Sequence, residues 1–375
     1  MDTSPFLFVV CQVGAETALK QELSRQWPGL RLAFSRPGFV TLKLPPDRPF
    51  SEDTDLRSVF ARTWGFSLGK LQGTDHDQLA AEVWKLTGDR RFKHIHAWQR
   101  DTALPGYRDF EPGLTELAKN VGDRIAAQRP GAAAPTKALP VNLLARAGDL
   151  VLDCVLVEPD QWWIGYHVAS SLPTRWPGGV PKIDLPAHAV SRAYLKMGES
   201  LLWSGLPTAP GERCIEIGSS PGGSCQALLD RGLVVVGIDP AKMHEAVLAH
   251  PNFTHIRARG ADLKRREFRG TKWLLVDSNV APQHTLDTVA HIVTNRQVQI
   301  RGMLLTLKLL EWELAEHIPE YLACIRSWGY TYVRARQLAF NRQEICVAAL
   351  RSRALRRALP EKRARRSKPS ADELG

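Results

Sequence analysis

Cysteine is scarce in this chain of 375 residues: six, scattered at positions 11, 154, 214, 225, 324 and 346. None forms a Cys-x-x-Cys pair, and the spacing suggests neither a disulfide framework nor a zinc site. A reducing compartment is the simplest expectation. Long apolar runs are also missing. None approaches the roughly 18 residues a membrane helix needs. The first ten residues carry Asp2 where a secretory leader would carry positive charge, and no small-residue cleavage site stands out. The expectation is a cytoplasmic protein with no metal and no membrane partner; nothing bears on its oligomeric state. No internal repeat is visible either.

What is present is ordinary in bulk. Apolar residues make up 44% and charged residues 24%, which excludes a mostly disordered chain. At about 150 residues per domain the length suggests two to three domains. Lysine and arginine outnumber the acids 50 to 39, a formal charge of +11. The excess is partly localised: the last 25 residues hold +6 and the remaining 350 hold +5. A basic tail on a mildly basic body suggests a polyanionic partner, nucleic acid first. The other reading is a solvated tail that keeps the protein soluble, and charge alone does not choose.

Residues 6–13 read as a strand, 15–27 as a helix and 38–44 as a strand, a small α+β beginning. Residues 92–98 alternate, with His94 and His96 on one strand face. Two such histidines can be metal ligands, but with no third ligand nearby they read as a strand's polar face. A helix is expected over 113–128, a linker or long loop over 129–141, and strands over 150–156 and 162–168. Residues 171–186, rich in proline, mark a boundary. Beyond it, apolar residues from Ala189 to Leu202 at 3–4 spacing give an amphipathic helix. Strands follow at 213–217, 234–239, 253–257, 273–277, 303–308, 331–336 and 345–350. Helices separate them near 222–231, 241–249, 284–298 and 312–328. The first five strands, rich in Val, Ile and Leu, suggest a parallel sheet with helices on both faces. The last two, joined by a short connection, are expected to pair antiparallel. The expected division is an α+β region over 1–170, a linker over 171–186, a doubly wound α/β domain over 187–350 and a flexible basic tail over 351–375.

The first strand of the second domain runs into Glu216-Ile-Gly218-Ser219-Ser220-Pro221-Gly222-Gly223. A glycine-rich turn there is where a doubly wound sheet holds a nucleotide-like ligand. Asp239 lies 21 residues past Gly218, at the end of the second strand, where a carboxylate can accept both hydroxyls of a ribose. A dinucleotide site would want Gly-x-Gly-x-x-Gly, but position 220 is serine. No Gly-Lys-Ser/Thr follows, so an ATP-binding loop fails. Residues 218–222 fit the Gly-x-Ser-x-Gly nucleophile elbow of hydrolases, but the elbow needs the N–H after the serine, and Pro221 has none. S-adenosylmethionine (SAM) fits best, having ribose and adenine but no pyrophosphate.

These residues resemble a known family. E-I-G-S-S-P-G-G is similar to the SAM-binding signature D-L-G-A-x-P-G-G of the FtsJ-type (RrmJ-like) ribose 2′-O-methyltransferases. K-I-D-L-P-A-H-A-V-S-R-A-Y-L-K, ending at Lys196, resembles the segment carrying the first catalytic lysine in the ribosomal RNA large subunit methyltransferase M (RlmM) family. S-V-F-A-R-T-W-G-F-S-L-G-K-L (58–71) resembles that family's N-terminal half, and F-V-V-C-Q-V-G-A-E-T-A-L-K-Q-E-L the start of THUMP-containing RNA-modification enzymes. The resemblance covers nearly the whole chain. It implies a Rossmann-like class I SAM methyltransferase domain, a seven-stranded mixed sheet with its last strand antiparallel, preceded by an α+β THUMP or ferredoxin-like RNA-binding region.

The resemblance also implies a catalytic Lys-Asp-Lys-Glu tetrad: Lys196, Asp277 in W-L-L-V-D, Lys308 in M-L-L-T-L-K, and Glu344 in N-R-Q-E-I-C-V. Three fall at strand ends and one on the helix before the sheet, so the four can converge. A ribose 2′-hydroxyl must lose its proton as it attacks a sulfonium methyl, and a lysine amine can take it. Lys308 is assigned as that base, with Lys196 the other candidate. Asp277 and Glu344 would orient the lysines. The cofactor set is Glu216, Gly218, Ser219, Ser220, Pro221, Gly222, Gly223, Asp239, Asp262 for the adenine amino group, and Asp277. The sequence departs from the family at Gly223-Ser224-Cys225, where Gly-Gly-Trp-Ser/Thr is usual, at Glu216 in place of Asp, and in L-L-E-W-E-L after Lys308, which lacks basic residues. Without a D-P-P-Y or N-P-P-F run, methylation of base amino groups is disfavoured. Cys225 is badly placed for a base C5-methylase. The implied activity is 2′-O-methylation of a cytidine in large-subunit rRNA. The alternatives are another RNA such as tRNA, or a non-catalytic RNA-binding protein with a degenerate Rossmann domain.

Overall fold

The computed structural model describes residues 5–46, 50–52, 54–130 and 138–351. Most of the basic tail and part of the expected loop at 129–141 lie outside the described residues.

The first half is built from β1 (Phe6–Val10), α1 (Glu16–Gln26), β2 (Arg31–Arg36), β3 (Phe39–Lys43), β4 (Thr63–Gln72), α2 (His76–Thr87), β5 (His94–Gln99), α3 (Glu116–Ala127), β6 (Leu150–Glu158) and β7 (Gln161–Val168). Its strands form one seven-stranded sheet in the order β2-β3-β1-β4-β7-β6-β5. Only β5 and β6 pair in parallel; the other neighbours are antiparallel. Side-chain caps start two helices. Asp75 accepts from the N–H groups of Asp77 and Gln78 at α2, and Thr115 from Ala118 at α3. Along β6, Leu152, Cys154 and Leu156 face the main core, while Val155 and Val157 pack with Phe8, Val10 and Trp98 on the opposite face. Both faces are therefore covered.

Three expectations are corrected here. The chain leaves its first strand at Val10, not residue 13. The expected β-α-β start contains an additional hairpin strand, β2, mostly exposed and so without an alternating pattern to betray it. His94 and His96 do not lie on a solvated face: they are 9% and 0% exposed.

The second half comprises α4 (Ala193–Ser204), β8 (Arg213–Ile217), α5 (Gly223–Leu229), β9 (Val234–Ile238), α6 (Glu245–Leu248), β10 (Phe253–Ile256), β11 (Thr271–Val276), α7 (Pro282–Val293), β12 (Gly302–Lys308), α8 (Ile318–Ser327), β13 (Tyr332–Arg336) and β14 (Glu344–Leu350). The sheet order is β10-β9-β8-β11-β12-β14-β13. All neighbours are parallel except those of β14, which runs against both β12 and β13. The order reverses direction at β8, which places a ligand crevice at the carboxyl ends of the central strands.

The helix expected from Ala189 starts only at Ala193. Gln226 explains the delay: it accepts from the Val190 N–H and donates to the His188 carbonyl, so these backbone groups are tied to α5. The helix expected over 312–328 is two pieces, a 3-10 helix at Trp312–His317 and then α8. Pro319 sits in the first turn of α8, where its missing N–H costs nothing.

The halves pack on each other. One apolar cluster contains core residues of both sheets. Arg336, 8% exposed, donates to the carbonyls of Ala61 and Arg62 at 2.7 and 2.5 Å. Arg192 makes a two-point pair with Glu111. The segment after β7 docks rather than bridging free: Arg62 donates to the Gly178 carbonyl and pairs with the buried Asp101.

Candidate active site

Four charged side chains close into a ring at the carboxyl edge of the second sheet. Lys196 comes from the first turn of α4, Asp277 from the end of β11, Lys308 from the end of β12 and Glu344 from the start of β14. Lys308 and Glu344 face each other across the β12–β14 register. The Lys196 Nζ lies 2.7 Å from Asp277 Oδ2 and 2.7 Å from Glu344 Oε1. The Lys308 Nζ lies 2.8 Å from Asp277 Oδ1 and pairs closely with Glu344 Oε2. Each lysine thus bridges both carboxylates, and each carboxylate gives one oxygen to each lysine. The ring is neutral in sum and mostly withdrawn from water, with side-chain exposures between 6% and 21%.

Electrostatics follow from that arrangement. Burial works against the charges of Lys196, Asp277 and Glu344. At Lys196 the carboxylates of Asp277 and Glu344 outweigh it and hold the ammonium above its ordinary range. At Asp277 the two lysines outweigh burial and hold the carboxyl below its ordinary value. Glu344 is also held low, by Lys196 and then Lys308, against burial and the charge of Asp277.

Two supporting residues were not singled out in the sequence. Asn341 donates to Glu344 Oε1 at 3.2 Å. Glu199, 5% exposed and one turn beyond Lys196, accepts from the N–H groups of Ala339 and Phe340 at 2.9 Å each. It thereby clamps the loop that delivers Glu344. Their only sequence signal is proximity to the tetrad, at three residues from Lys196 and from Glu344.

The glycine loop lies against this ring. Gly218 has φ of +82°, and a Cβ there would stand 2.4 Å from the Asp277 carbonyl oxygen. A Cβ on Gly223 would meet Ser191 Oγ at 2.2 Å. Only glycine permits these approaches. Asp239, at the end of β9, accepts from the N–H groups of Ser220 at 3.1 Å and Ala241 at 2.8 Å. The Ser219 hydroxyl is buried against the Met243 sulfur, and the Ser220 hydroxyl donates to the Lys242 carbonyl, so both serines brace the loop. Pro221 accepts from the His244 N–H through its carbonyl, and Gly222 opens α5. Asp262 is exposed on a 3-10 turn after β10, next to Gly260 and Ala261, which line a cavity of about 280 Å³.

Glu216 is placed differently from the rest of the expected cofactor set. It is 0% exposed and points beneath the loop, where its carboxylate accepts from the Ser224 hydroxyl and, at 2.9 Å, from the Cys225 thiol. It holds the loop from below and offers no surface to a ligand. The two unusual residues after the glycines are the partners of the unusual glutamate.

A loop that excludes Cβ atoms, a carboxylate at the end of the second strand and an acid after the third suit a nucleoside without pyrophosphate. Residues 189–319 match the family model described as FtsJ-like methyltransferase. The second half is an FtsJ-like, SAM-dependent methyltransferase domain of Rossmann type. Over most of its length the chain is similar to proteins named Ribosomal RNA large subunit methyltransferase M, as the sequence motifs led us to expect. The protein of that name from Thauera aminoaromatica is 26% identical, over 82% of this chain and 83% of its own. That of Xanthomonas campestris pv. campestris (strain B100) is 27% identical over 92% and 99%. That of Halorhodospira halophila is 31% identical over 47% and 51%.

Proposed function

We propose that this chain is an RNA ribose 2′-O-methyltransferase acting on a cytidine of large-subunit ribosomal RNA in the cytoplasm. The observation that carries the reading is the closed Lys196–Asp277–Lys308–Glu344 ring beside the glycine loop. The names of the relatives support the choice of RNA.

Gly218, Gly222 and Gly223 let the loop backbone reach the cofactor, Asp239 accepts from its ribose and Asp262 from its adenine. SAM supplies an electrophilic methyl carbon on a sulfonium centre. Lys308, once it has released its ammonium proton to solvent, takes the 2′-hydroxyl proton of the substrate as a free amine. Lys196, bridged by the same two carboxylates, is the other candidate acceptor; while it stays an ammonium its charge stabilises the developing alkoxide. Asp277 and Glu344 orient both lysines and carry the counter-charge. No covalent enzyme intermediate is required; holding the hydroxyl in line with the methyl carbon supplies much of the rate. In this reading residues 1–170 capture structured RNA, 171–186 connect, and 187–350 bind SAM and catalyse.

The test is transfer of labelled methyl from SAM to 23S-type rRNA and to tRNA, followed by ribose-methylation mapping. Lys308→Ala should lower transfer by about 10²–10⁴-fold, the usual weight of a general base, with SAM binding by calorimetry retained. Full activity in that variant would remove Lys308 from its role, and labelling of tRNA alone would replace the substrate.

A further inference from the structure

The first sheet carries a polar cluster that methyl transfer does not use. His96 of β5, Asp153 of β6 and His167 of β7 converge on one face, with exposures of 0%, 0% and 5%. Each offers a nitrogen or oxygen atom within 4.8 Å of the others. His96 and Asp153 are register partners, and Asp153 faces Gly165 across β7. His167, two residues along β7 on the same face, reaches Asp153 diagonally.

The hydrogen bonds define the proton inventory. His96 Nε2 lies 2.9 Å from the Leu143 carbonyl, and His167 Nε2 lies 2.6 Å from the Thr174 carbonyl. A carbonyl only accepts, so both Nε2 atoms carry their protons. His96 Nδ1 and Asp153 Oδ1 are buried without a hydrogen-bond partner. His167 Nδ1 and Asp153 Oδ2 stand 2.6 Å apart, a contact that needs one proton. Two ring nitrogens and two carboxylate oxygens therefore meet around a single proton. His94, alongside, pairs with Asp149 at 3.1 Å.

We propose that His96, Asp153 and His167 form a structural site for a zinc-type divalent cation, bound through the two Nδ1 atoms and both oxygens of the Asp153 carboxylate, four donors in all. A ligating histidine characteristically donates its other N–H to a carbonyl, and both do so here. Nitrogen and carboxylate donors suit zinc, whose bonds of about 2.0–2.2 Å draw such a group together with small side-chain shifts. The ion converts unsatisfied lone pairs into ligand bonds. It ties three strands to the segments at Leu143 and Thr174, and Thr174 stands at the root of the passage between the halves. The third ligand lies 71 residues beyond His96, so spacing along the chain does not reveal it.

The test uses the untagged full chain, produced separately in zinc- and cobalt-supplemented medium, with metal measured by mass spectrometry. About one ion per chain is expected, and the cobalt form should show the visible absorption of a tetrahedral ion. His96→Gln and Asp153→Asn should each lower metal content to about a tenth or less. Wild-type protein with less than about a tenth of an ion under both conditions overturns the proposal. So does equal metal content in wild type and in variants whose circular dichroism shows them folded. If the variants do not fold, wild-type stoichiometry and the cobalt spectrum still decide: a spectrum without nitrogen ligation refutes the site.

Discussion

At the scale of single residues, Glu216 shows how a departure from a motif can be internally consistent. A longer acid replaces Asp, and the residues that accept its reach, Ser224 and Cys225, replace the usual Trp-Ser/Thr. Burial pushes the Glu216 carboxyl up to about 7; the Cys225 and Ser224 donors pull it down, and the Asp277 charge adds to the rise. Because the folded value lies above the ordinary one of 4.5, this group favours the folded state most at low pH. That contribution is lost as pH rises towards 7. Between pH 5 and 8, Glu216→Gln should therefore lose less stability than the wild type, by on the order of 3 kcal/mol. Urea unfolding across that range measures it, and identical pH slopes would contradict it. Asp277 and Glu344, held low, lose their contribution only as pH falls below the ordinary carboxylate range. Gly218 offers a second test. Alanine there meets both a left-handed φ and the Asp277 carbonyl, so SAM affinity should fall about tenfold or more. Unchanged calorimetric affinity would show that the loop does not hold the cofactor.

At the scale of elements, the second sheet was legible because each buried parallel strand is a short aliphatic run between helix-length segments. The tetrad was legible through the family resemblance, and the loop through its glycines at the end of the first strand of the second sheet. The remainder was not. β2 is exposed and carries no alternation. The start of α4 is decided by Gln226, a tertiary partner that periodicity cannot register. The burial of Glu216 depends on which face of β8 meets α5. The meeting of His96 with His167 depends on strand order in the first sheet. The join between the halves also rests on an element end, Arg336 at the close of β13. Burial draws its guanidinium down to about 10 against the pull of Glu199 and Asp55. Arg336→Ala strands two carbonyls and should cost about 3 kcal/mol, read as a lower denaturation midpoint. A change within about 0.5 kcal/mol would mean the contact is dispensable.

At the scale of the whole molecule, the charge is unevenly placed along the chain. The ring is neutral in sum, so it offers no net attraction to phosphate. The +6 of the last 25 residues is a sequence-independent attractant for a polyanion. Deleting it should weaken RNA binding and flatten its salt dependence, while the modified nucleotide stays the same. A shifted nucleotide would show that the tail takes part in choosing the site.

The antiparallel pairing of β12 with β14 makes the spacing of Lys308 and Glu344 a property of the backbone ladder. Seven residue pairs, from Gly302–Leu350 to Lys308–Glu344, set it. A slip of one residue would turn Glu344 to the opposite face of the sheet. Amide hydrogen exchange in these two strands is thus a gauge of the chemistry: any opening that releases the ladder also opens the ring. The slowest amides of β14 should report the free energy of dismantling the ring, in a protein to which no substrate has been added.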